Sequence, residues 1–384
     1  MNVVQLISSE GFYGAESMLL SLAEAQLRAG MRTTVAVFDD SRADAREGIV
    51  EKAVECGIET RRIPCAGRVD WSAVGHIRQL LEHKQASVLH CHGYKADVYG
   101  YAAARHLRIS LISTCHNWPD QRLTMRAYAA ADRLILRRFD QVATPSRQVA
   151  SILERSGVPL TKLSVIANGV DVARFQGARP TLRDDLPGAP KHVFGCVARL
   201  IPGKGGAVLL QAAKTVLSIC PETAFVFVGE GACRQEWQAL AQRLGIAGRV
   251  FFAGTRSDMP GVYASLDGLV LPSFDEAMPM CLLEGLAAGC PVIATKVGEV
   301  SAVIRPGVTG LLVPAGDAAA LAEAILQTIL SPAPAAERAA NGRRLIERTY
   351  SSAATARNYL TLYERALGSR TELYAATAER THSA

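Results

Sequence analysis

The stretch Ser273-Phe274-Asp275-Glu276-Ala277-Met278-Pro279-Met280-Cys281-Leu282-Leu283-Glu284-Gly285 carries two glutamates eight positions apart. The apolar run Leu269-Val270-Leu271 predicts a strand before it, and Val292-Ile293-Ala294 predicts a strand after it. We therefore expect Glu276 in the loop after a strand and Glu284 on the helix that follows. Ligands of open α/β sheets bind at the carboxyl ends of the strands, so the pair indicates a ligand site. Such a pair taken alone is also common as solvated surface charge.

Strand-like apolar runs alternate with helical patterns along the chain, and this alternation predicts parallel sheets covered by helices on both faces. The runs form two similar sets, so we expect an α/β protein with two doubly wound domains. The first set is Val3–Ile7, Thr34–Phe38, Val88–Cys91, Leu111–Thr114, Gln141–Ala143 and Leu163–Ile166. The second set is His192–Ala198, Ala224–Val228, Val250–Phe252, Gly268–Leu271, Val292–Ala294 and Gly310–Val313.

The domain boundary is expected after the turn Asn168-Gly169-Val170-Asp171, where a stretch rich in glycine and proline begins. This places the first domain at residues 1–175 and the second at residues 176–349. A further linker is expected at Ser331-Pro332-Ala333-Pro334, and the tail after it has a helical pattern. A chain of 384 residues is long for one domain, which agrees with two.

The net charge of +6 is concentrated in residues 1–180, which carry +5, whereas the remainder carries +1. This excess favours an anionic lipid surface or a phosphorylated acceptor as partner. It is too small to indicate nucleic acid, and no basic-aromatic stacking motif supports that partner. Arg122, Arg126, Arg133 and Arg137 share one face of a predicted helix. Such a stripe is often only a solvated face, and the sharper hypothesis is docking on an anionic membrane surface or on the phosphate of an acceptor.

Nine cysteines without a Cys-x-x-Cys pair are typical of free thiols in a reducing compartment. The chain opens on a predicted strand, without a basic leader and apolar run, so we expect no signal peptide. No apolar run reaches the length of about 18 residues that spans a bilayer. We therefore expect a cytoplasmic protein, with a peripheral position on the inner face of the membrane as the other option.

Two cations follow the first strand of the second domain, in Val197-Ala198-Arg199-Leu200-Ile201-Pro202-Gly203-Lys204-Gly205. On such a glycine-rich loop Arg199 can bind two phosphate oxygens and Lys204 acts as a compact charge, which predicts a diphosphate site. A Walker P-loop is excluded, because it requires glycine at position 198 and serine or threonine at position 205. The alternative interpretation is a pair of solvated charges.

Two further glycine-rich loops follow predicted strands. Gly11-Phe12-Tyr13-Gly14-Ala15-Glu16 precedes a helix expected from about Ser17, and a ligand can approach the backbone closely there. Val228-Gly229-Glu230-Gly231 ends another strand, but Arg234 stands where a dinucleotide fingerprint has its third glycine. The first of these motifs, taken alone, is also common in an ordinary strand–helix turn.

Histidines end two strands of the first domain, in His90-Cys91-His92-Gly93 and Thr114-Cys115-His116-Asn117. We expect no metal site, because the pattern lacks a carboxylate partner and the chain has no Asp-x-Asp motif. Buried, hydrogen-bonded histidines are the usual alternative, and we retain that interpretation for His90 and His92.

The ordered set of motifs resembles the retaining, nucleotide-sugar-dependent glycosyltransferases of family 4. The matching elements are Gly14-Ala15-Glu16, His116, Asn168-Gly169-Val170-Asp171, Arg199 with Lys204, Glu276 with Glu284, and Gly307-Val308-Thr309-Gly310-Leu311-Leu312-Val313-Pro314. The resemblance implies the GT-B fold, in which two doubly wound Rossmann-like domains face a central cleft. It also implies that a helix at about residues 350–384 crosses back onto the first domain.

The resemblance further implies a role for each candidate residue. Arg199 and Lys204 stabilise the departing diphosphate. Glu276 holds hydroxyls of the donor sugar, and Glu284 holds the ribose hydroxyls. His116 approaches the donor sugar from the first domain. The remaining implied contacts to the donor are made by Gly14, Gly229, Gly231, Met278, Pro279, Met280 and Cys281. Neither a metal nor a cofactor is implied, because protein cations neutralise the leaving group.

The implied activity is transfer of a sugar, with retention of its anomeric configuration, to a glycan or lipid-linked acceptor in cell-surface polysaccharide synthesis. A UDP-sugar is the first choice of donor. This chain departs from the family pattern at Tyr13, Ala277 and Pro279, where glycine is usual, and at Ala302, where an acidic residue is usual. The alternatives are an NAD-dependent oxidoreductase, a nucleotide-sugar epimerase of GT-B fold and a non-catalytic sugar-binding protein. The missing third glycine disfavours the first, and the intact set of charged residues disfavours the last.

Overall fold

In a computed structural model of the chain, residues 1–9, 14–39, 48–66, 70–116 and 132–382 are described, with residues 370–382 described by their backbone alone. The chain divides into two compact units. Unit 1 comprises Met1–Gly169 together with Ser352–Ala384, and unit 2 comprises Val170–Ser351. Among the described helices, none combines the length and the apolar character needed to cross a bilayer.

The described strands of unit 1 are β1 (Asn2–Ile7), β2 (Arg32–Asp39), β3 (Glu59–Pro64), β4 (Val88–His92), β5 (Ser110–Thr114), β6 (Gln141–Thr144) and β7 (Leu163–Val165). They form one parallel sheet in the order β3-β2-β1-β4-β5-β6-β7. Because β1 pairs with both β2 and β4, the direction of winding reverses between β1 and β4. Such a reversal is the topological switch point of a doubly wound sheet.

Helices cover the sheet of unit 1. In the described residues they are α1 (Gly14–Arg28), α2 (Ile49–Glu55), α3 (Ser72–His83), α4 (Tyr94–Ala104), α5 (132–136), α6 (Arg147–Arg155) and, after unit 2, α15 (Ser352–His382). Every residue of β4 and β5 is buried, as parallel strands covered on both faces require. The last helix, α15, packs against α1 and β5 and places Tyr359 and Tyr363 in the core of unit 1.

Unit 2 repeats the plan of unit 1. Its strands are β8 (His192–Val197), β9 (Thr223–Val228), β10 (Val250–Gly254), β11 (Gly268–Leu271), β12 (Val292–Thr295) and β13 (Leu311–Val313), in the order β10-β9-β8-β11-β12-β13. Its helices are α7 (Val172–Phe175), α8 (Gly206–Ile219), α9 (Arg234–Arg243), α10 (Met259–Ala264), α11 (Met280–Ala287), α12 (Val300–Val303), α13 (Ala318–Leu330) and α14 (Pro332–Thr349). The switch point lies between β8 and β11, and Phe194, Phe225, Phe227 and Trp237 pack in the core.

The predicted fold class is confirmed, because both units are doubly wound parallel sheets. Each predicted strand is present with its ends within two residues of the prediction, but β3 was not predicted. In β3 the residues Glu59, Thr60, Arg61 and Arg62 are exposed or half-buried, so no apolar run marks the strand. The linker expected at residues 331–334 is wrong. A helix, α14, begins there with proline at its first position, where the missing N–H has no intrahelical partner to lose.

Candidate active site

The loops after β8 and β11 lie side by side at the switch point of unit 2. The N–H of Phe274 in the second loop donates to the carbonyl of Gly203 in the first, at 2.9 Å. The loop after β8 carries Arg199 and Lys204, and the loop after β11 carries Glu276. A switch point is where open α/β sheets form a ligand crevice, so the fold brings these charged residues to a suitable place.

Gly205 permits the close approach of these two loops. Its φ is +68°, in the left-handed region that favours glycine. A Cβ atom at this position would lie 1.9 Å from the carbonyl oxygen of Pro272 in the facing loop. Gly205, which stands where a P-loop has serine or threonine, is therefore required because the backbones of the two loops pack directly against each other.

Lys204 and Glu276 form an ion pair across the two loops. Nζ of Lys204 donates to Oε1 of Glu276 at 2.5 Å, and Oγ of Ser273 donates to the same oxygen at 2.8 Å. The Lys204 side chain is 20% exposed and that of Glu276 is 9% exposed. The hydroxyl of Thr295, from β12, donates to the carbonyl of Ser273 at 2.5 Å. Hydrogen bonds from Lys204 and Ser273 thus orient the carboxylate of Glu276, and the hydrogen bond from Thr295 holds the loop that carries it.

Arg199 lies on the same loop as Lys204, and its side chain is exposed. The glycine-rich loop after β9 packs against this part of the backbone. A Cβ atom at Gly229 would lie 2.1 Å from the carbonyl oxygen of Ala198, and one at Gly231 would lie 2.4 Å from that of Leu200. Packing therefore accounts for both glycines, which support the backbone on either side of Arg199. A ligand contact for either glycine stays a prediction.

Glu284 lies on α11 and is half-buried. Its Oε2 accepts a hydrogen bond of 2.8 Å from the hydroxyl of Tyr263 on α10. Burial raises the pKa of Tyr263 well above its usual value, and the carboxylate of Glu284 raises it further, so the hydroxyl stays protonated and donates. The Tyr263 ring packs edge-on against Phe175, with ring centroids 5.9 Å apart. A buried tyrosine therefore orients the second glutamate of the pair.

Two cysteines adjoin the charged residues. Burial raises the pKa of Cys281 on α11; Glu276 raises it further, Lys204 lowers it and Glu284 raises it. Burial likewise raises the pKa of Cys196 on β8 to about 12, with Lys204 lowering it and Glu276 raising it. Both thiols are protonated at neutral pH, and a thiol is a weak nucleophile without its thiolate form. The site therefore has no cysteine nucleophile among these two.

The start of α11 supplies backbone groups between the two glutamates. Pro279 is the N-cap residue and has no N–H, so it donates no hydrogen bond; its carbonyl accepts from the N–H of Leu282 at 3.2 Å. The side chains of Met278 and Met280 are buried. The N–H groups of Met280 and Cys281 belong to the first turn of α11, where helical N–H groups lack an intrahelical partner.

In unit 1, His116 follows β5 and is half-buried. Its Nε2 lies 3.3 Å from Nδ1 of His92, and the planes of the two rings differ by 22° with their centroids 5.6 Å apart. Burial lowers the pKa of His116 to about 4, so the ring is neutral at pH 7. Gly14 is exposed and is the first residue of α1, so this helix begins three residues before the expected position. Residues 11–13 of the same motif lie outside the described residues.

The arginine stripe is described only in part. Arg122 and Arg126 lie outside the described residues. Arg133 is half-buried in α5, and Arg137 is exposed just after it. The guanidinium of Arg137 donates to the carbonyl of Ser156. Contact of this stripe with a membrane stays a prediction.

Sequence reasoning missed Ser273 and Tyr263 as partners of the glutamates. Ser273 had a usable signal, because a hydroxyl three residues before a loop carboxylate can reach it. Tyr263 gave no signal: it lies 21 positions before Glu284 on another helix, and only the packing of α10 brings the two together.

Family profiles match both units of the chain. The profile described as Glycosyltransferase Family 4 matches residues 12–174, and the profile described as Glycosyl transferases group 1 matches residues 191–331. This chain belongs to glycosyltransferase family 4. The transferase also shares its fold with Anabaena HepE, whose crystal structure contains UDP and glucose. That structure has a TM-score of 0.81 at 22% identity and covers 94% of this chain and 98% of its own.

Two relatives have assigned activities. The UDP-Gal:alpha-D-GlcNAc-diphosphoundecaprenol alpha-1,3-galactosyltransferase of Escherichia coli is 25% identical over 265 residues, which are 65% of this chain and 67% of that protein. The D-inositol 3-phosphate glycosyltransferase of Rhodococcus erythropolis is 29% identical over 315 residues, which are 76% of this chain and 71% of that protein. The matches thus span about two thirds of each relative. Family 4 membership makes the protein a nucleotide-sugar-dependent glycosyltransferase, and it decides against the oxidoreductase, epimerase and non-catalytic alternatives.

Proposed function

We propose that this transferase moves a sugar from a UDP-sugar, with retention of configuration, to a glycan or lipid-linked acceptor in cell-surface polysaccharide synthesis. The names of similar proteins support the donor: the E. coli relative is named for UDP-galactose, and HepE was crystallised with UDP and glucose. The E. coli relative is also named for an acceptor carried on diphosphoundecaprenol. The charge of +5 on residues 1–180 favours an acceptor of that anionic kind.

The contact between Lys204 and Glu276 at the switch point of unit 2 is the observation that carries this proposal. A lysine ammonium has three N–H donors, of which Glu276 accepts one, so Lys204 can also donate to diphosphate oxygens. When the bond between C1 of the sugar and the β-phosphate oxygen breaks, negative charge develops on that phosphate. Lys204 and Arg199 stabilise this charge. The acceptor oxygen bonds to C1 on the same face, and its proton leaves with the diphosphate.

The other charged groups hold the donor in place. Glu276 accepts hydrogen bonds from hydroxyls of the sugar, and Lys204 and Ser273 keep its carboxylate in one orientation. Glu284 accepts hydrogen bonds from the ribose hydroxyls, and its partner Tyr263 orients it. His116 of unit 1 keeps the role that the family resemblance implies, a contact to the donor sugar. The N–H groups at the start of α11 donate to the sugar or the diphosphate.

Thermal-shift measurements with UDP, GDP and ADP test the identity of the donor. Ligand at 100 times its Kd stabilises the native state by about 2.7 kcal/mol, so UDP should raise the Tm and the other two nucleotides should not. Stabilisation by GDP or ADP without UDP would refute the uridine assignment. UDP-sugars are then compared in the same way to identify the sugar.

Hydrolysis of the stabilising UDP-sugar tests the chemistry. Wild-type hydrolysis should continue in EDTA, because protein cations neutralise the leaving diphosphate, and Lys204→Ala should abolish most of it. Turnover that stops in EDTA and returns with a divalent ion would overturn the metal-free mechanism. Turnover that Lys204→Ala leaves unchanged would overturn the role of the ion pair.

Membrane contact is a separate part of the proposal. It rests on the basic stripe Arg122, Arg126, Arg133 and Arg137, where each cation near an anionic surface contributes about 1 kcal/mol. Replacing the four arginines with glutamine should reduce co-sedimentation with anionic vesicles at low salt and should not change the result with neutral vesicles. Equal sedimentation of both proteins with anionic vesicles would remove this part.

A further inference from the structure

A buried hydrogen-bonded network inside unit 1 ends at His116. Gln5 on β1, Gln26 on α1, and His92 on β4 are all buried. Nε2 of His92 lies 2.8 Å from Oε1 of Gln5, and Nδ1 of His92 lies 3.3 Å from Nε2 of His116. The hydroxyl of Tyr363, on α15, accepts from Nε2 of Gln26 at 3.0 Å. Side chains from four elements of unit 1 (β1, α1, β4 and α15) thus form a network that ends at His116, after the carboxyl end of β5.

The direction of these hydrogen bonds fixes the protons. Nε2 of Gln5 donates to Oε1 of Gln26 at 3.0 Å, so it is the amide oxygen of Gln5 that faces His92. An amide oxygen only accepts, and Nε2 of His92 therefore carries the proton. A neutral imidazole has one N–H, which leaves Nδ1 of His92 as an acceptor. The hydrogen bond between the two histidines consequently runs from Nε2–H of His116 to His92.

This arrangement leaves Nδ1 of His116 without a proton. Burial lowers the pKa of His116 to about 4, and burial with the neighbouring histidines lowers that of His92 well below its usual value, so neither ring gains a second proton at pH 7. In the part of the chain that the structure describes, the hydrogen bond to His92 is the one that His116 makes. Nδ1 of His116 can therefore accept a hydrogen bond from a ligand.

We propose that His92 is a positioning residue for the donor sugar: it binds Nε2–H of His116 and thereby presents the unprotonated Nδ1 of His116 to a sugar hydroxyl. The proposal rests on the proposed contact between His116 and the sugar. It adds a requirement on the substrate, because only a group with an O–H or N–H can bind such a nitrogen. A donor in which that hydroxyl is replaced by hydrogen or by an ether loses the hydrogen bond.

The network resists a change of tautomer. Moving the proton of His92 to Nδ1 would place two lone pairs between His92 and Gln5, at a distance of 2.8 Å. To remove this repulsion, the side-chain amides of Gln5 and Gln26 would have to flip, and the hydroxyl of Tyr363 would have to rotate at the same time. The hydroxyl of Thr33 also donates to Oε1 of Gln26 at 3.2 Å, so this hydroxyl would have to turn as well.

Nitrogen-15 NMR of the wild-type protein tests the tautomer directly, without ligand. A long-range proton–nitrogen spectrum at pH 7 distinguishes protonated from unprotonated ring nitrogens, and the signals missing from His116→Gln identify His116. We expect protonated Nε2 and unprotonated Nδ1. A spectrum with Nδ1 protonated, or with both nitrogens protonated, would overturn the proposal.

Calorimetry with UDP-glucose and UDP tests the effect on binding. The Asn side chain places its amide near the position of Nδ1 of histidine, so His92→Asn should keep the acceptor for His116, whereas His92→Leu removes it. The ratio of the Kd of UDP to that of UDP-glucose should fall about tenfold in His92→Leu, the size of one hydrogen bond. It should stay near wild type in His92→Asn and in the control Tyr359→Phe, which changes a hydroxyl bonded to Thr114. The Kd of UDP alone should not change.

The outcomes separate two failures. A wild type that binds UDP-glucose more tightly than UDP, together with a His92→Leu that keeps the full difference, overturns the role of His92 alone. A wild type that binds neither ligand overturns the proposed donor and this inference with it. If His92→Leu does not fold, the NMR result on the wild type decides the question.

Discussion

Replacing Lys204 with methionine should lower both stability and activity, for different reasons. In the wild type, Lys204 and Ser273 both donate to Oε1 of Glu276, whose side chain is 9% exposed. Removing one partner of a buried ion pair costs about 3–5 kcal/mol, because the remaining charge is uncompensated. Since Ser273 still binds the carboxylate and Lys204 is itself 20% exposed, we expect the lower end, about 3 kcal/mol.

The double variant separates the two effects. Glu276→Gln in the Lys204→Met background removes the stranded charge and should return most of the lost stability. For a unit of this size, 3 kcal/mol corresponds to a fall in Tm of about 6–12 °C. Trp237 is buried in the core of unit 2, so its fluorescence reports the unfolding of that unit. Activity should not return: kcat falls about 10²- to 10³-fold in Lys204→Met, and the double variant stays as low.

Lys214→Met is the matched control, because Lys214 is an exposed lysine on α8, the helix that follows the same loop. It should leave both Tm and kcat unchanged. Equal Tm values for the single and double variants would show that the charge of Glu276 is not the source of the instability. A Lys204→Met variant with wild-type kcat would refute stabilisation of the leaving group.

Three further outcomes follow from the geometry. Gly205→Ala should lower Tm and kcat, because its Cβ would lie 1.9 Å from a facing carbonyl oxygen. The control Gly203→Ala, whose Cβ would meet no atom of the described residues within 4 Å, should change neither, and equal melting curves for the two variants would refute the packing argument. Burial raises the pKa of Asp97 well above its usual value, so its contribution to stability is present near pH 4 and is lost as the pH rises through the folded-state pKa. Asp97→Asn should therefore exceed the wild type in Tm at pH 8, with a gap that narrows continuously as the pH falls towards about 4, and a gap independent of pH would contradict this. Tyr263→Phe should weaken UDP binding about tenfold in calorimetry through the lost hydrogen bond to Glu284, and an unchanged Kd would show that the tyrosine does not orient that carboxylate.

The strands could be predicted from sequence because most of them are buried on both faces. β9 is fully buried along Thr223–Val228, and its sequence is accordingly an almost continuous apolar run. Among the described strands, β3 pairs with β2 alone, at the edge of the sheet of unit 1, and Ile63 is its one buried residue. Backbone hydrogen bonds define such a strand, and its side chains carry no pattern that separates it from a loop.

The sequence was sufficient to identify the charged residues of the candidate site, but not the contacts that they make. Lys204 and Glu276 were identified because each follows a strand, but 72 positions separate them, and the shared switch point alone brings them to 2.5 Å. The reason for Gly205 was equally hidden, since it depends on the backbone of Pro272 in another loop. Spacing reveals which residues face a crevice, whereas partners from distant elements depend on the packed fold.

The core of unit 1 is assembled from residues encoded before and after unit 2. Tyr359 and Tyr363 belong to α15 and pack beside His90 of β4, with ring centroids 5.1 and 5.7 Å away. During translation the whole of Val170–Ser351 is synthesised before either tyrosine. Domains usually fold in the order of their synthesis. Here unit 1, although it begins the chain, cannot complete its core until α15 has been synthesised after unit 2. While unit 2 is being synthesised, the nascent chain therefore carries the sheet of unit 1 without the helix α15 that completes its core, and chaperones can engage the uncovered surface during that interval.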